Sequence, residues 1–326
     1  MRLQLRYCPT GVMAADGLTK LASAQVMEDF RGVLSGKPFA IPSSSAEFQT
    51  KSSAMIASAA LAIKPTYGWL PMIERRRQAD RLALELVSTG NRISDAQLHE
   101  VLDLWGFARN TKRRNVAPPG TAYVYSECFG LVYDRTGRWM VSAVAQMFPS
   151  VARLMNQWFV ERLAQLSHRA FSEPLKQWKW TAITVNRGYA ATRHVDLNNF
   201  GPSVIRSIAD GTDRLLYWPG ADRKSMSSLD THDAVELPVS SRRHLFAFDG
   251  RCPHEVKQYG GAVESRLSVV FFLNARGWKA DTSTTRHLEQ LGFAPAASEE
   301  DAETFAAKFN VLSAGLNYQS WPVQPA

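Results

Sequence analysis

Cysteine is scarce in this 326-residue chain. There are three, Cys8, Cys128 and Cys252, and no two of them form a C-x-x-C. That excludes a disulfide framework and a thiolate zinc site, and it suits a reducing, intracellular compartment. Long apolar runs are missing as well. Met55 to Ile63 is apolar and Ala-rich, but it is about half as long as a bilayer crossing requires. The opening residues, Met1 to Met13, carry charges and Pro9 and no long apolar segment, so no secretory signal and no membrane association are expected. No internal repeat is visible. Acidic residues are in deficit, 30 Asp and Glu against 38 Lys and Arg, for a net charge of +8. That balance is compatible with a polyanionic partner such as nucleic acid, without identifying one.

An apolar fraction of 45%, with nine Trp and sixteen Phe, is enough to fill a sizeable core. The texture of the chain changes twice, giving three expected regions. Residues 1–116 read as mostly helical. Ile41-Pro42-Ser43-Ser44-Ser45 is a loop signal within them. Glu74 to Val87 mixes charge with Leu82, Leu84, Leu86 and Val87, as an amphipathic helix does. Ser94 with Gln97 is a capping-box pair opening a second helix, which would bury Leu98, Val101, Leu102 and Trp105. A basic run, Arg109-Asn110-Thr111-Lys112-Arg113-Arg114-Asn115, precedes Pro118-Pro119-Gly120. It reads as a linker, a phosphate-contacting strip or a nuclear address.

Residues 117–275 read as the core domain. Tyr123 to Tyr133 is rich in β-branched and aromatic residues. A helix over 149–168 follows, with Pro149 near its start and Val151, Leu154, Met155, Trp158, Phe159, Leu163 and Leu166 on one face. Short strand-like segments come next: Trp180–Asn186, Ser203–Ile208, Arg214–Trp218, Ala234–Leu237, His244–Phe248 and Arg266–Leu273. Many short strands separated by Gly, Pro, Asp and Ser indicate a sandwich or barrel of the jelly-roll kind. Residues 276–326 read as a helical extension, with helices near 285–291 and 300–309. The expected class is α+β.

The chemistry concentrates between Asn186 and Asn274. His194 and Asp196 are spaced i, i+2, which on an extended segment points both side chains the same way. An H-x-D alone recurs by chance. A third ligand is needed, and His254 is preferred over His232 and His244 because it precedes Arg266-Leu267-Ser268. Two His and one carboxylate on one face of a metal, with the remaining positions open, is the arrangement of non-haem Fe(II) oxygenases. Arg266 and Ser268 share a strand face, where a guanidinium and a hydroxyl suit the far carboxylate of 2-oxoglutarate. His99, His168 and His287 lie outside the barrel region.

At these residues the sequence resembles the 2-oxoglutarate oxygenases, and more narrowly the TET/JBP branch that oxidises pyrimidine methyl groups in DNA. The stretches that carry the likeness are His194-Val195-Asp196-Leu197-Asn198-Asn199 with Gly201-Pro202-Ser203, and Phe248-Asp249-Gly250 through Pro253-His254-Glu255 to Gly261, Arg266, Ser268, Phe271 and Phe272. They span roughly residues 180 to 275. The resemblance implies a double-stranded β-helix (jelly-roll or cupin-like) core, Fe(II) held by His194, Asp196 and His254, and 2-oxoglutarate gripped by Arg266 and Ser268 with Asn186 assisting. O2 is the second co-substrate. It implies that Asn199, with Asn198 beside it, faces a base flipped out of DNA, stacked on an aromatic such as Tyr189, Phe200, Tyr217 or Trp218. DNA would be held through basic residues including Arg109, Lys112, Arg113 and Arg114, and a nuclear location would follow. No Cys-rich zinc segment of the animal TET kind is present. A protein side chain or small molecule is the alternative substrate, and a catalytically silent binding protein the third reading.

Overall fold

The computed structural model describes residues 71–165, 177–208, 213–240, 244–257, 266–312 and 318–322. They belong to one compact unit that begins at Tyr67. The expected loop at Ile41–Ser45, the apolar Met55–Ile63 and the end of the 149–168 helix, with Leu166 and His168, lie outside the described residues. No helix among the described residues is long and apolar enough to cross a membrane.

Helix α1 spans Met72–Ser88 and α2 spans Asp95–Leu104. The expected capping box is in place. The Ser94 hydroxyl accepts from the Gln97 N–H, and the Gln97 side chain accepts from the Ser94 N–H at 2.9 Å. Leu98, Val101, Leu102 and Trp105 are all buried, as their spacing requires. After the short α3 (Ala143–Met147), α4 (Pro149–Ala164) starts with Pro149 in its first turn. Its exposed amide donors are met from another helix: Asp80 of α1 accepts from the N–H groups of Ser150 (2.8 Å) and Val151 (3.1 Å).

The strands form two antiparallel sheets. They are β1 (Arg109–Asn110), β2 (Val124–Tyr133), β3 (Trp139–Val141), β4 (Ala182–Arg187), β5 (Asn199–Ser207), β6 (Arg214–Tyr217), β7 (Val235–Leu237), β8 (His244–Asp249), β9 (His254–Lys257), β10 (Leu267–Asn274) and β11 (Tyr318–Pro322). The large sheet has the order β1-β2-β4-β10-β5-β8-β11, with β3 also on β2, and the small sheet has the order β7-β6-β9. From β4 onward the chain passes back and forth between the two.

Alternation along β10 divides the molecule. Val269, Phe271 and Leu273 face the helices and are fully buried; Phe271 stacks on Phe159 at 4.0 Å between ring centres. Ser268, Val270 and Phe272 face the other way, toward the small sheet, and line a cavity. The cross-strand register carries this division across the sheet. Ser126, Asn186, Ser268 and Ser207 form one row, and Cys128, Thr184, Val270 and Ile205 the next.

Two expected boundaries move. The break at residues 116–117 falls inside the compact unit, because Arg109 and Asn110 pair with β2, Val116 packs with Val124 and Tyr189, and α1, α2 and the residue that ends α2 supply Ala79, Ala83, Leu98 and Trp105 to the same core as the sheet. The C-terminal region holds the two expected helices, α5 (Thr282–Gln290) and α6 (Glu299–Leu312), but it also returns as β11 along β8, with Tyr318 opposite Phe248 and Pro322 opposite His244. A proline at the end of an outermost strand is tolerated because no ladder bond need be donated outward.

Glu127 ties the N-terminal helices to the sheet. It is ion-paired with Arg76 and accepts from the Trp105 indole N–H at 2.6 Å, and both charged side chains are at least nine-tenths buried. Glu127→Ala leaves a buried guanidinium without its counter-ion and is expected to cost about 3–5 kcal/mol. Denaturant unfolding measures this; a loss under about 1 kcal/mol would place the pair in effectively solvated surroundings.

Candidate metal centre

After β4 the chain crosses to the small sheet, where His194 meets the first residue of β9. The two histidines exchange backbone bonds, His194 N–H to the His254 carbonyl at 2.9 Å and His254 N–H to the His194 carbonyl at 3.0 Å. Their rings lie side by side, 4.2 Å between centres. Two residues on, the Asp196 N–H donates to the Gly250 carbonyl at 2.7 Å, which turns its carboxylate to the same point. The carboxylate presents one oxygen to each ring: Oδ1 is 3.8 Å from His194 Nε2, and Oδ2 is 3.8 Å from His254 Nε2. Three donor atoms within 4.8 Å of one another can be spanned by a single ion.

The protonation pattern fits a metal as well. His194 Nδ1 lies 2.7 Å from the Thr192 carbonyl and His254 Nδ1 lies 2.9 Å from the Cys252 carbonyl. A carbonyl only accepts, so each Nδ1 carries a hydrogen, and each Nε2, on the Asp196 side, is the nitrogen left for a metal. Burial, and then the adjacent His254, hold the His194 imidazole well below its ordinary range, so it is neutral at physiological pH. The donor set suits a divalent first-row ion with positions left open.

Arg266 and Ser268 lie in the same cavity, of about 460 Å³, as the three ligands. Arg266 is 3% exposed. Its Nη1 donates to the Tyr189 carbonyl at 2.8 Å and reaches the Ser268 hydroxyl at 3.4 Å. Its Nη2 is buried and has no hydrogen-bond partner among the described residues. A buried donor left unsatisfied on a residue of the cavity wall is where an anionic ligand that reaches it gains most.

The other expected site residues divide. Asn186 lines the cavity, but its side-chain oxygen accepts from Tyr189 (2.7 Å) and Ser126 (2.8 Å), and its amide reaches Ser268 only at 3.5 Å. Asn199 is buried, and its amide nitrogen donates to Ser203 at 3.1 Å and to Asp196 at 3.4 Å, so it steadies the carboxylate. Asn198 is exposed on the cavity wall beside Leu197. Of the four aromatic candidates, Tyr189 lines the cavity. Phe200 packs on Trp278, Tyr217 on Phe248, and Trp218 under the Arg193 guanidinium. His232 is exposed on a short 3-10 helix, Thr231–Asp233, away from the three ligands, and the side chain of His244 lies outside the described residues.

The basic run is part of the cavity wall. Thr192 bonds to the carbonyls of Asn115 and Val116, which places Arg113 and Asn115 in the lining, while Lys112 and Arg114 are exposed and Arg109 covers the Tyr123 ring. A run of cations reads as solvated from sequence; only the tertiary pairing distinguishes Arg113 from its neighbours.

No protein-family model and no curated protein matches the chain. Among solved structures it is similar to NgTET1 in complex with 5mC DNA, with a TM-score of 0.32 and 12% identity over 51% of this chain and 69% of that one. It is also similar to YcfD, a ribosomal oxygenase from Escherichia coli in complex with cobalt and succinic acid, with a TM-score of 0.25 and 14% identity over 56% of this chain and 58% of that one. Both overlaps are too loose to carry chemistry from one protein to another, and the site is read from its own residues.

Gly250 makes room for the aspartate. A Cβ there would lie 3.2 Å from both Asn199 Nδ2 and Ser203 Oγ, and 3.4 Å from the Asp196 Cβ. Gly250→Val is therefore expected to displace Asp196 and weaken Mn(II) binding by at least about tenfold, roughly the loss of one charge-assisted contact. Isothermal titration with Mn(II) checks it, and wild-type affinity in the variant would show that this backbone approach does not set the ligand.

Proposed function

We propose that this chain is an Fe(II)- and 2-oxoglutarate-dependent oxygenase on a double-stranded β-helix, and that it hydroxylates the 5-methyl group of thymine or 5-methylcytosine in DNA. The observation that carries the first part is one cavity holding both ends of a keto acid's requirements. At one point are two imidazole nitrogens and a carboxylate; at another is a buried guanidinium with an unused donor. The sheet order supports the fold. Strands β4, β10, β5 and β8 lie side by side in one sheet, with β7, β6 and β9 in the other, and His194 adds an eighth position next to β9.

When bound, Fe(II) with 2-oxoglutarate and O2 supplies an oxidant able to take hydrogen from an unactivated C–H bond. The chain's own residues do the rest. His194, Asp196 and His254 would hold the metal through three donor atoms that lie within 4.8 Å of one another. Arg266 orients the co-substrate by its far carboxylate. Ile205, Leu215, Phe248, Val256 and Val270 line the cavity with apolar surface that keeps water from the reacting atoms.

Support for DNA comes from the wall that carries Arg113 and from the exposed Lys112 and Arg114 next to it. Such cations suit phosphates on either side of an extruded nucleotide, and a methyl group within a duplex could reach this cavity only by flipping. Tyr189, Asn198 and Asn115 are the groups on the wall best suited to the base.

His194→Ala and Asp196→Ala are each expected to abolish Fe(II)-dependent release of succinate from 2-oxoglutarate; turnover surviving in either would remove that residue from the ligand set. Nucleoside mass spectrometry after incubation with unmodified and 5-methylcytosine-containing DNA is expected to find hydroxymethylated bases. Succinate release with unaltered nucleosides would leave the oxygenase in place and move the substrate to a protein side chain or small molecule.

A further inference from the structure

Arg266 has a partner that its sequence neighbourhood does not suggest. Asp213 stands immediately before β6 of the small sheet, and Arg266 immediately before β10 of the large one. Asp213 is 2% exposed, and its Oδ2 lies 2.8 Å from Arg266 Nε. The contact is a buried ion pair between two side chains that are each almost fully enclosed. The same oxygen accepts from the Ser207 hydroxyl at 2.6 Å. Ser207 in turn belongs to the polar row that contains Ser268 and Asn186. The guanidinium is therefore held at Nε by Asp213 and at Nη1 by the Tyr189 carbonyl, with Nη2 left over.

We infer that Asp213, steadied by Ser207, is a positioning residue for the co-substrate: it sets the Arg266 guanidinium so that Nη2 is the donor presented to a ligand carboxylate. This rests on the oxygenase reading above. Two physical points carry it. A guanidinium on a long side chain has many rotamers, and holding it in one before the ligand arrives removes that ordering cost from binding. The Asp213 carboxylate also cancels most of the Arg266 charge, so this end of the cavity selects by hydrogen-bond direction and shape more than by net charge. A carboxylate at a fixed distance from the metal meets that condition, whereas a free small anion does not.

The test compares two keto acids on Mn(II)-loaded protein, followed by the water-proton relaxation of the bound ion. 2-Oxoglutarate uses both the metal and Arg266; 2-oxobutyrate has no far carboxylate and uses the metal alone. Asp213→Ala is expected to weaken 2-oxoglutarate by about tenfold or more while leaving 2-oxobutyrate within about twofold of wild type. Asp213→Asn, which keeps an oxygen in place without the negative charge, is expected to restore binding to at least the wild-type level. Ser207→Ala leaves the ion pair in place and is expected to weaken 2-oxoglutarate selectively by a smaller factor, which keeps the test decisive if Asp213→Ala does not fold. Asp213→Ala binding 2-oxoglutarate as tightly as wild type, or more tightly, would overturn the inference, as would equal loss of both keto acids or an unchanged Ser207→Ala. Wild-type protein that takes Mn(II) but neither keto acid would overturn the oxygenase reading instead, and the positioning role with it.

Discussion

The pair of backbone hydrogen bonds between His194 and His254 is the constraint on which the site depends. These bonds join a segment with no other regular pairing to the edge of the small sheet, and they bring together two residues sixty positions apart. Once they form, both rings stand on the same side, both Nδ1 atoms find carbonyls, and the alternation of an extended chain carries Asp196 to the same point. The ligand geometry is thus a by-product of sheet pairing. Both histidines are anchored by this backbone pairing, so the donor atoms are placed before any ion arrives.

The same economy of construction runs through the large sheet. One face of β2, β4, β10 and β5 is apolar and covered by α4 and its neighbours; the other carries the polar row from Ser126 to Ser207. A one-residue slip in β10 would turn Ser268 into the helical core and Val269 into the cavity. The buried packing of Phe271 between Trp158 and Phe159 makes that slip costly, so the aromatic core on one face holds the co-substrate end of the cavity on the other. The ion pairs at Glu127 and Asp95 tie the N-terminal helices to this arrangement, Asp95 reaching Arg162 on α4 and Arg206 on β5.

Much of this was legible in the residues. The capping box at Ser94, the Pro149 helix start and the strand segments around β4, β6, β8 and β10 all rest on local chemistry, and local chemistry is what a sequence displays. His194, Asp196, His254, Arg266 and Ser268 are readable as a set from the H-x-D spacing followed by a later His and an R-x-S, and all five line one cavity. What was not legible depends on pairing between distant segments. β9 is four residues, His254–Lys257, two of them charged, and it becomes a strand only by lying between β6 and His194. Asp213 looks like any turn aspartate until Arg266 is found beside it. Arg113 is one cation in a run of four, and two hydrogen bonds from Thr192, to the Asn115 and Val116 carbonyls, bring its segment to the cavity wall. Asn199 lines the cavity, and what its position alone does not display is that its amide nitrogen also reaches Asp196 and Ser203.

The central claim is that one cavity holds a metal at His194, Asp196 and His254 and a keto acid between that metal and Arg266. A crystal structure of the protein grown anaerobically with Mn(II) and 2-oxoglutarate tests it most directly. The predicted result is an ion bonded to Nε2 of both histidines and to the Asp196 carboxylate, with the keto acid completing its coordination and the far carboxylate at Arg266 Nη2. An ion bound elsewhere, or a keto acid whose far carboxylate turns away from Arg266, would contradict it.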